Sequence, residues 1–367
     1  MKQRADHLPA LTGLRFFLAL WVIGHHITGP SDMLGAAAAA TPSAIYAWIR
    51  GGYLAVQTFF VLSGFVLART YRDSDWSRRH LLRYAAARAA RIYPVYFISL
   101  LLISPQIVAE FTPAKTPILV EHGLLIQAWF GRIPVNWNIP AWTLSCEIFF
   151  YLSFPLAAIL MARAGWRQAI ALALGATCLT RVLYACGVSD QLKPVVHLAD
   201  FFMGIAAARG FELIRKRGWT FSGAWLYLPA LALGALFIAR IDWLPPRVDL
   251  NTMLRPINAL LLLGFALGGG GLARALSTPA TVFLGQASYA MYILHMPILF
   301  WYARYTRALS ATIYVIAVIA IASVVYKWIE EPANRWIRGR VKTALEPPMR
   351  TVEVSCAAPL RSESASG

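Results

Sequence analysis

Long apolar stretches recur along the whole chain, each broken after about twenty residues by a short polar or basic segment. A helix needs about 20 mostly apolar residues to cross the hydrocarbon core of a bilayer. On that measure the pattern predicts spans at residues 8–29, 52–70, 92–110, 141–161, 169–186, 194–208, 224–241, 253–273, 282–302 and 310–329. The apolar run at 118–130 is too short to span and reads as re-entrant or interfacial. The predicted fold is therefore all-α, a polytopic transmembrane bundle of about ten helices with one re-entrant segment. Residues 1–340 form the membrane domain, and 341–367, polar and poor in aromatics, read as a disordered tail.

Composition agrees. Of 367 residues 58% are hydrophobic and only 14% charged, against roughly 25% charged in a soluble domain. The formal net charge of +17 raises the question of nucleic acid. The basic residues, however, fall in alternate loops: Arg69–Arg91, Arg163 with Arg167, Arg209–Arg217, Arg274 and Arg335–Lys342. This is the positive-inside distribution of a membrane protein, and it puts both termini and the 341–367 tail in the cytoplasm. Counting 118–130 as a span would move RGFELIRKRG outside, against that rule. No phosphate-binding glycine loop is present, which disfavours an ATP-driven pump. The four cysteines have no zinc-type spacing, and no metal is expected.

Charged and titratable residues inside apolar spans are expensive and mark functional candidates. Arg15 and His26 lie in the first span, eleven residues apart. That is close to three helical turns, so they share a face about 16 Å apart along the axis. Thr143, Glu147 and Tyr151 share a face of the fourth span; Ser288, Tyr292 and His295 share a face of the ninth. With both ends inside, His26, Glu147 and His295 come to similar depth near the outer side. A histidine with a carboxylate suits general-base chemistry, so these three are the catalytic candidates. His25, Trp142, Ser288 and Tyr292 are candidates for contact with a substrate. Arg88 and Arg91 read either as topological flanking or as a clamp for an anion on the cytoplasmic side.

These motifs together resemble the membrane acyltransferase-3 family. Arg15 and His26 match its Arg-x10-His, and GYLAVQTFFVLSGFVLA resembles its second-helix signature. Arg88 and Arg91 match its Arg-x-x-Arg before RIYPVYF. AWTLSCE resembles its Trp-Ser-Leu-x-x-Glu, with Thr143 where serine is usual. SYAMYILHMPI and YKWIEEPANRW match its later blocks. The resemblance runs from about Leu8 to Arg338. It implies transfer of an acyl group, commonly acetyl from acetyl-CoA, to a hydroxyl of a surface polysaccharide or lipid-linked glycan in the bacterial inner membrane. It also implies that Arg15, Arg88 and Arg91 hold the acyl-CoA. A transporter of lipid-linked saccharides and an enzyme acylating a small metabolite are the alternatives.

Overall fold

The computed structural model describes residues 8–28, 41–131, 137–162, 165–239, 250–306 and 310–345, and among these it is helical with no strand. Helix α1 is Pro9–Ile27, α2 Ser43–Arg50, α3 Ala55–Thr70, α4 Arg78–Glu110 and α5 Thr116–Leu124. Next come α6 Trp142–Ala162, α7 Trp166–Ala185, the single turn α8 Lys193–Val196, α9 Leu198–Lys216 and α10 Ala224–Ala239. The chain continues with α11 Leu250–Leu267, α12 Gly270–Leu276, α13 Pro279–Tyr305, α14 Ala311–Val325 and α15 Glu331–Leu345. Eight helical segments are long and apolar enough to cross a membrane. The chain is a multi-pass membrane protein.

Every expected span has a helix. Two fall outside the eight for visible reasons. Helix α10 has only 16 residues. Helix α9 ends in charged residues, but its face of Ala199, Phe201, Gly204, Ile205, Ala208 and Phe211 is buried among its neighbours. The 118–130 segment folds as the nine-residue α5, about 14 Å long and too short to span. Leu125, at φ +56°, stops it in the left-handed region.

Four boundaries differ from expectation. The basic segment before Ile92 is not a loop: α4 starts at Arg78, capped by the Ser77 hydroxyl accepting from the His80 amide. Its 33 residues extend about 50 Å, well beyond a hydrocarbon core. Part of the expected loop at 30–50 is helix α2; residues 29–40 lie outside the described set. The eighth span breaks at Gly268–Gly270, which all have positive φ, so α11 and α12 are separate helices. At the C-terminal end α14 runs through a π-helical turn at Tyr326–Glu330 into α15, which reaches Leu345 and so enters the tail expected to be disordered. The rest of that tail lies outside the described residues.

Two close crossings set the frame. Helices α3 and α9 meet at Gly64 and Gly204: a Cβ on Gly204 would overlap the Val61 carbonyl, and one on Gly64 the Phe201 carbonyl. Helices α1 and α13 cross at Gly285, where a Cβ would strike the Thr12 carbonyl. Small residues at helix interfaces let backbones approach, and in lipid that packing supplies much of the association. The α1–α13 crossing brings His26 and His295 side by side.

Gly204→Ala should therefore destabilise the fold by roughly 1–3 kcal/mol through overpacking. Gly175→Ala, at a position open on all sides, should be near neutral. Thermal unfolding in detergent, followed by circular dichroism, checks both.

Candidate active site

Two cavities that share four residues lie inside the bundle. The larger, about 300 Å³, is lined by Arg15, Arg88, Arg91 and Arg338 together with Glu147, Tyr151, Tyr289 and Asn334. The smaller is lined by Thr143, Ser288 and Tyr292. Arg15, Phe59, Glu147 and Tyr289 line both. The two thus abut, running from four guanidinium groups to the Tyr292 end of α13. Another cavity, walled by Trp21 and Trp48 beside α10 and α11, is apolar and carries no charged side chain.

The arginine end is electrostatically unfinished. Arg91 pairs with the buried Glu330 and lies over the Tyr289 ring, 4.9 Å from its centroid. Its second Nη nevertheless has no hydrogen-bond partner, and neither does Arg88 Nε. Arg88 is held over the rings of Tyr71, Tyr84 and Tyr151, at 5.4–5.9 Å from their centroids. Such cation–π contacts fix a guanidinium in place without using its donors. Arg15, Arg88, Arg91 and Arg338 thus hold fixed guanidinium groups around one cavity, a chemistry that suits phosphate.

Next to Tyr292, but outside the lining of both cavities, the two histidines form a pair. His295 Nδ1 lies 2.7 Å from the Tyr292 carbonyl, so it carries the proton and donates it there. Its Nε2 is then an acceptor, 3.3 Å from His26 Nδ1. His26 Nδ1 also lies 3.0 Å from the Val22 carbonyl, which only a donor can approach. Both partners assign the proton of His26 to Nδ1 and the lone pair to Nε2. The imidazole is thus held in the tautomer a base requires. Tyr314 donates to the His295 carbonyl at 2.8 Å and fixes this turn of α13.

The expected residues separate into groups. Arg15, Arg88 and Arg91 come together around the larger cavity, and Ser288 and Tyr292 line the smaller one; the Ser288 hydroxyl is buried without a partner. His26 and His295 meet. Glu147 is placed with the arginines rather than with the histidines: it accepts from Tyr151 at 3.0 Å and lines both cavities beside Arg15. His25 turns aside, its Nδ1 donating to the Arg50 carbonyl at 2.6 Å and its ring edge-on to Tyr53. Trp142 packs on Phe60 and under Lys193, adjoining but not lining the cavities.

Sequence reasoning missed Asn334 and Arg338, which face the larger cavity from α15. The spacing Glu330, Asn334, Arg338 was a legible signal, one helical face with steps of four. It also missed Asp200 and Arg255, a buried ion pair at 2.7 Å between α9 and α11. A charge inside each apolar run was the signal there.

A family model described as an acyltransferase domain matches residues 8–329. The chain belongs to the acyltransferase-3 family. It is an enzyme, a multi-pass membrane O-acyltransferase. Among its relatives, acyltransferase MdmB of Streptomyces mycarofaciens is 29% identical, with 96% of this chain and 98% of that protein aligned. The protein SACOL0978 of Staphylococcus aureus (strain COL), provisionally named an O-acetyltransferase, is 23% identical over 91% of this chain. The chain spans 58% of that protein's length. O-acetyltransferase OatA of Staphylococcus aureus (strain NCTC 8325 / PS 47) is 25% identical over 41% of this chain. No solved structure matches.

Removing Glu330 leaves the Arg91 charge uncompensated. Glu330→Ala should cost roughly 3 kcal/mol, as expected when one partner of a buried pair is lost. The double variant Arg91→Met, Glu330→Ala should recover part of that stability. Thermal unfolding of the single and double variants in one detergent measures the difference.

Proposed function

We propose that this acyltransferase moves an acetyl group from cytoplasmic acetyl-CoA to a hydroxyl of a sugar, in a surface polysaccharide or lipid-linked glycan. The site of action is the bacterial inner membrane, with both chain termini in the cytoplasm. The observation that carries the reading is the pair of abutting cavities: unsatisfied arginine donors at one end, Tyr292 and the histidine pair's helix at the other. The positive-inside charge distribution supports a cytoplasmic arginine end.

In this scheme Arg88, Arg91 and Arg338 bind the phosphates of the donor. Arg15, three turns from His26 on α1, lies along the route of the thioester. Glu147 is a positioning residue that holds Arg15 and the Tyr151 hydroxyl. His26 Nε2 removes the proton of the acceptor hydroxyl as its oxygen attacks the thioester carbon. The C–S bond then breaks, the thiolate takes up a proton, and the acetyl ester is released. His295 is a positioning residue, accepting from His26 Nδ1 and stabilising the imidazolium that forms. Ser288 and Tyr292 offer hydroxyls to the acceptor.

His26→Ala should lower kcat by roughly 10²–10⁴-fold, the usual contribution of a general base, while helix content and membrane insertion stay intact. Retained activity would remove His26 from the chemistry. Trapped label on wild-type His26 would make it a covalent carrier instead.

Arg88→Ala should raise the KM for acetyl-CoA by roughly tenfold or more, since a hydrogen bond to a charged group contributes about 1.5–3 kcal/mol. The same assay, with label in the acetyl group, decides the acceptor class. Label in a glycan ester fits the proposal. Label in a small metabolite makes this a metabolite acylase, and movement of an unmodified saccharide without label makes it a transporter.

A further inference from the structure

A polar network that this mechanism does not use joins α3, α9 and α11. Asp200, in the first turn of α9, is fully buried. Its Oδ1 accepts from Arg255 Nε at 2.7 Å and from Gln57 Nε2 at 2.8 Å. Its Oδ2 lies 2.8 Å from His197 Nδ1. Arg255 is itself only 1% exposed.

Asp200, Arg255 and Gln57 suffice to tie the three helices. His197 is the member that this role leaves over. The Asp200 carboxylate can only accept, so His197 Nδ1 carries the proton and Nε2 carries the lone pair. The imidazole is thus oriented much as a carboxylate orients the histidine of a hydrolase triad. Unlike Asp200 it is not sealed in: its side chain is 17% exposed. Its ring stands 5.0 Å from that of Phe60 and 5.5 Å from that of Trp142. Phe60 also lines the smaller cavity, and the Lys193 ammonium lies over Trp142. An oriented acceptor nitrogen on a partly exposed imidazole, beside a residue that lines the smaller cavity, suits a ligand that carries hydroxyl groups.

We propose that His197, oriented by Asp200, is an acceptor-binding residue of this enzyme: its Nε2 accepts a hydrogen bond from a sugar hydroxyl other than the one acylated. The inference rests on the reading above that the acceptor is a saccharide. It adds a specificity determinant on α8–α9, away from the histidine pair.

The test uses the full chain in lipid nanodiscs, labelled acetyl-CoA, and a panel of methyl glycosides with their monodeoxy derivatives as acceptor probes. His197→Leu should raise the acceptor KM roughly tenfold, the effect of one lost hydrogen bond, and leave the KM for acetyl-CoA unchanged. His197→Gln, which keeps an acceptor atom, should recover part of the loss. One monodeoxy glycoside should respond to neither substitution, because it lacks the hydroxyl that His197 holds. A fall in kcat with the acceptor KM unchanged, or equal losses for every deoxy probe, overturns the inference and leaves the enzyme reading standing. Wild type that acetylates no glycoside overturns the saccharide reading, and this inference with it.

Discussion

Arg91 and Glu330 are 239 positions apart in sequence and meet inside the bundle. The interior of a membrane protein offers little solvation, so a guanidinium there must be matched by charge, ring faces or ligand. Arg91 has Glu330 and Tyr289; Arg88 has three tyrosine rings. The match is incomplete, because some donors of both arginines point at nothing. That shortfall defines the site. A bundle built for stability alone would bury fewer cations or satisfy them fully. This one gathers four guanidinium groups around one cavity.

The remote end follows a different logic. Charge is absent, and orientation replaces it. His295 spends its own proton on a carbonyl and offers the resulting lone pair to His26. An imidazole thus stands where many hydrolases place a carboxylate, within hydrogen-bond reach of the Nδ1 of its partner histidine. Glu147 sits among the arginines instead, where its negative charge offsets part of theirs. The carboxylate and the histidine pair are thus held in separate places.

Much of this was legible in the residues alone. Apolar runs gave ten helices in the right places, because span length is set by bilayer thickness. Helical spacing grouped Ser288 with Tyr292, and expected depth grouped His26 with His295. Depth did not hold for Glu147. Glu147 and His26 come to similar levels on different helices, but only the tilt and rotation of those helices decide whether they touch, and apolar periodicity carries no information on rotation. The basic stretch before Ile92 was read as a loop because arginine marks cytoplasmic segments. Yet alanine and arginine are both good helix formers, and Ser77 caps them. Trp142 and His25 occupy expected positions in sequence, but their side chains pack against neighbours outside the two cavities.

The π-helical turn at Tyr326–Glu330 fits one more residue into a turn than an α-helix would. Everything after it is rotated by about 100° relative to an uninterrupted helix. That offset brings Asn334 and Arg338 to the larger cavity and Glu330 to Arg91, while the preceding α14 keeps an apolar flank of Ile313, Ile316 and Val324 exposed at its surface. The phase of the last helix is therefore stored in five residues. That short segment sets the angular phase by its length and supplies the partner of Arg91 by its last residue, Glu330.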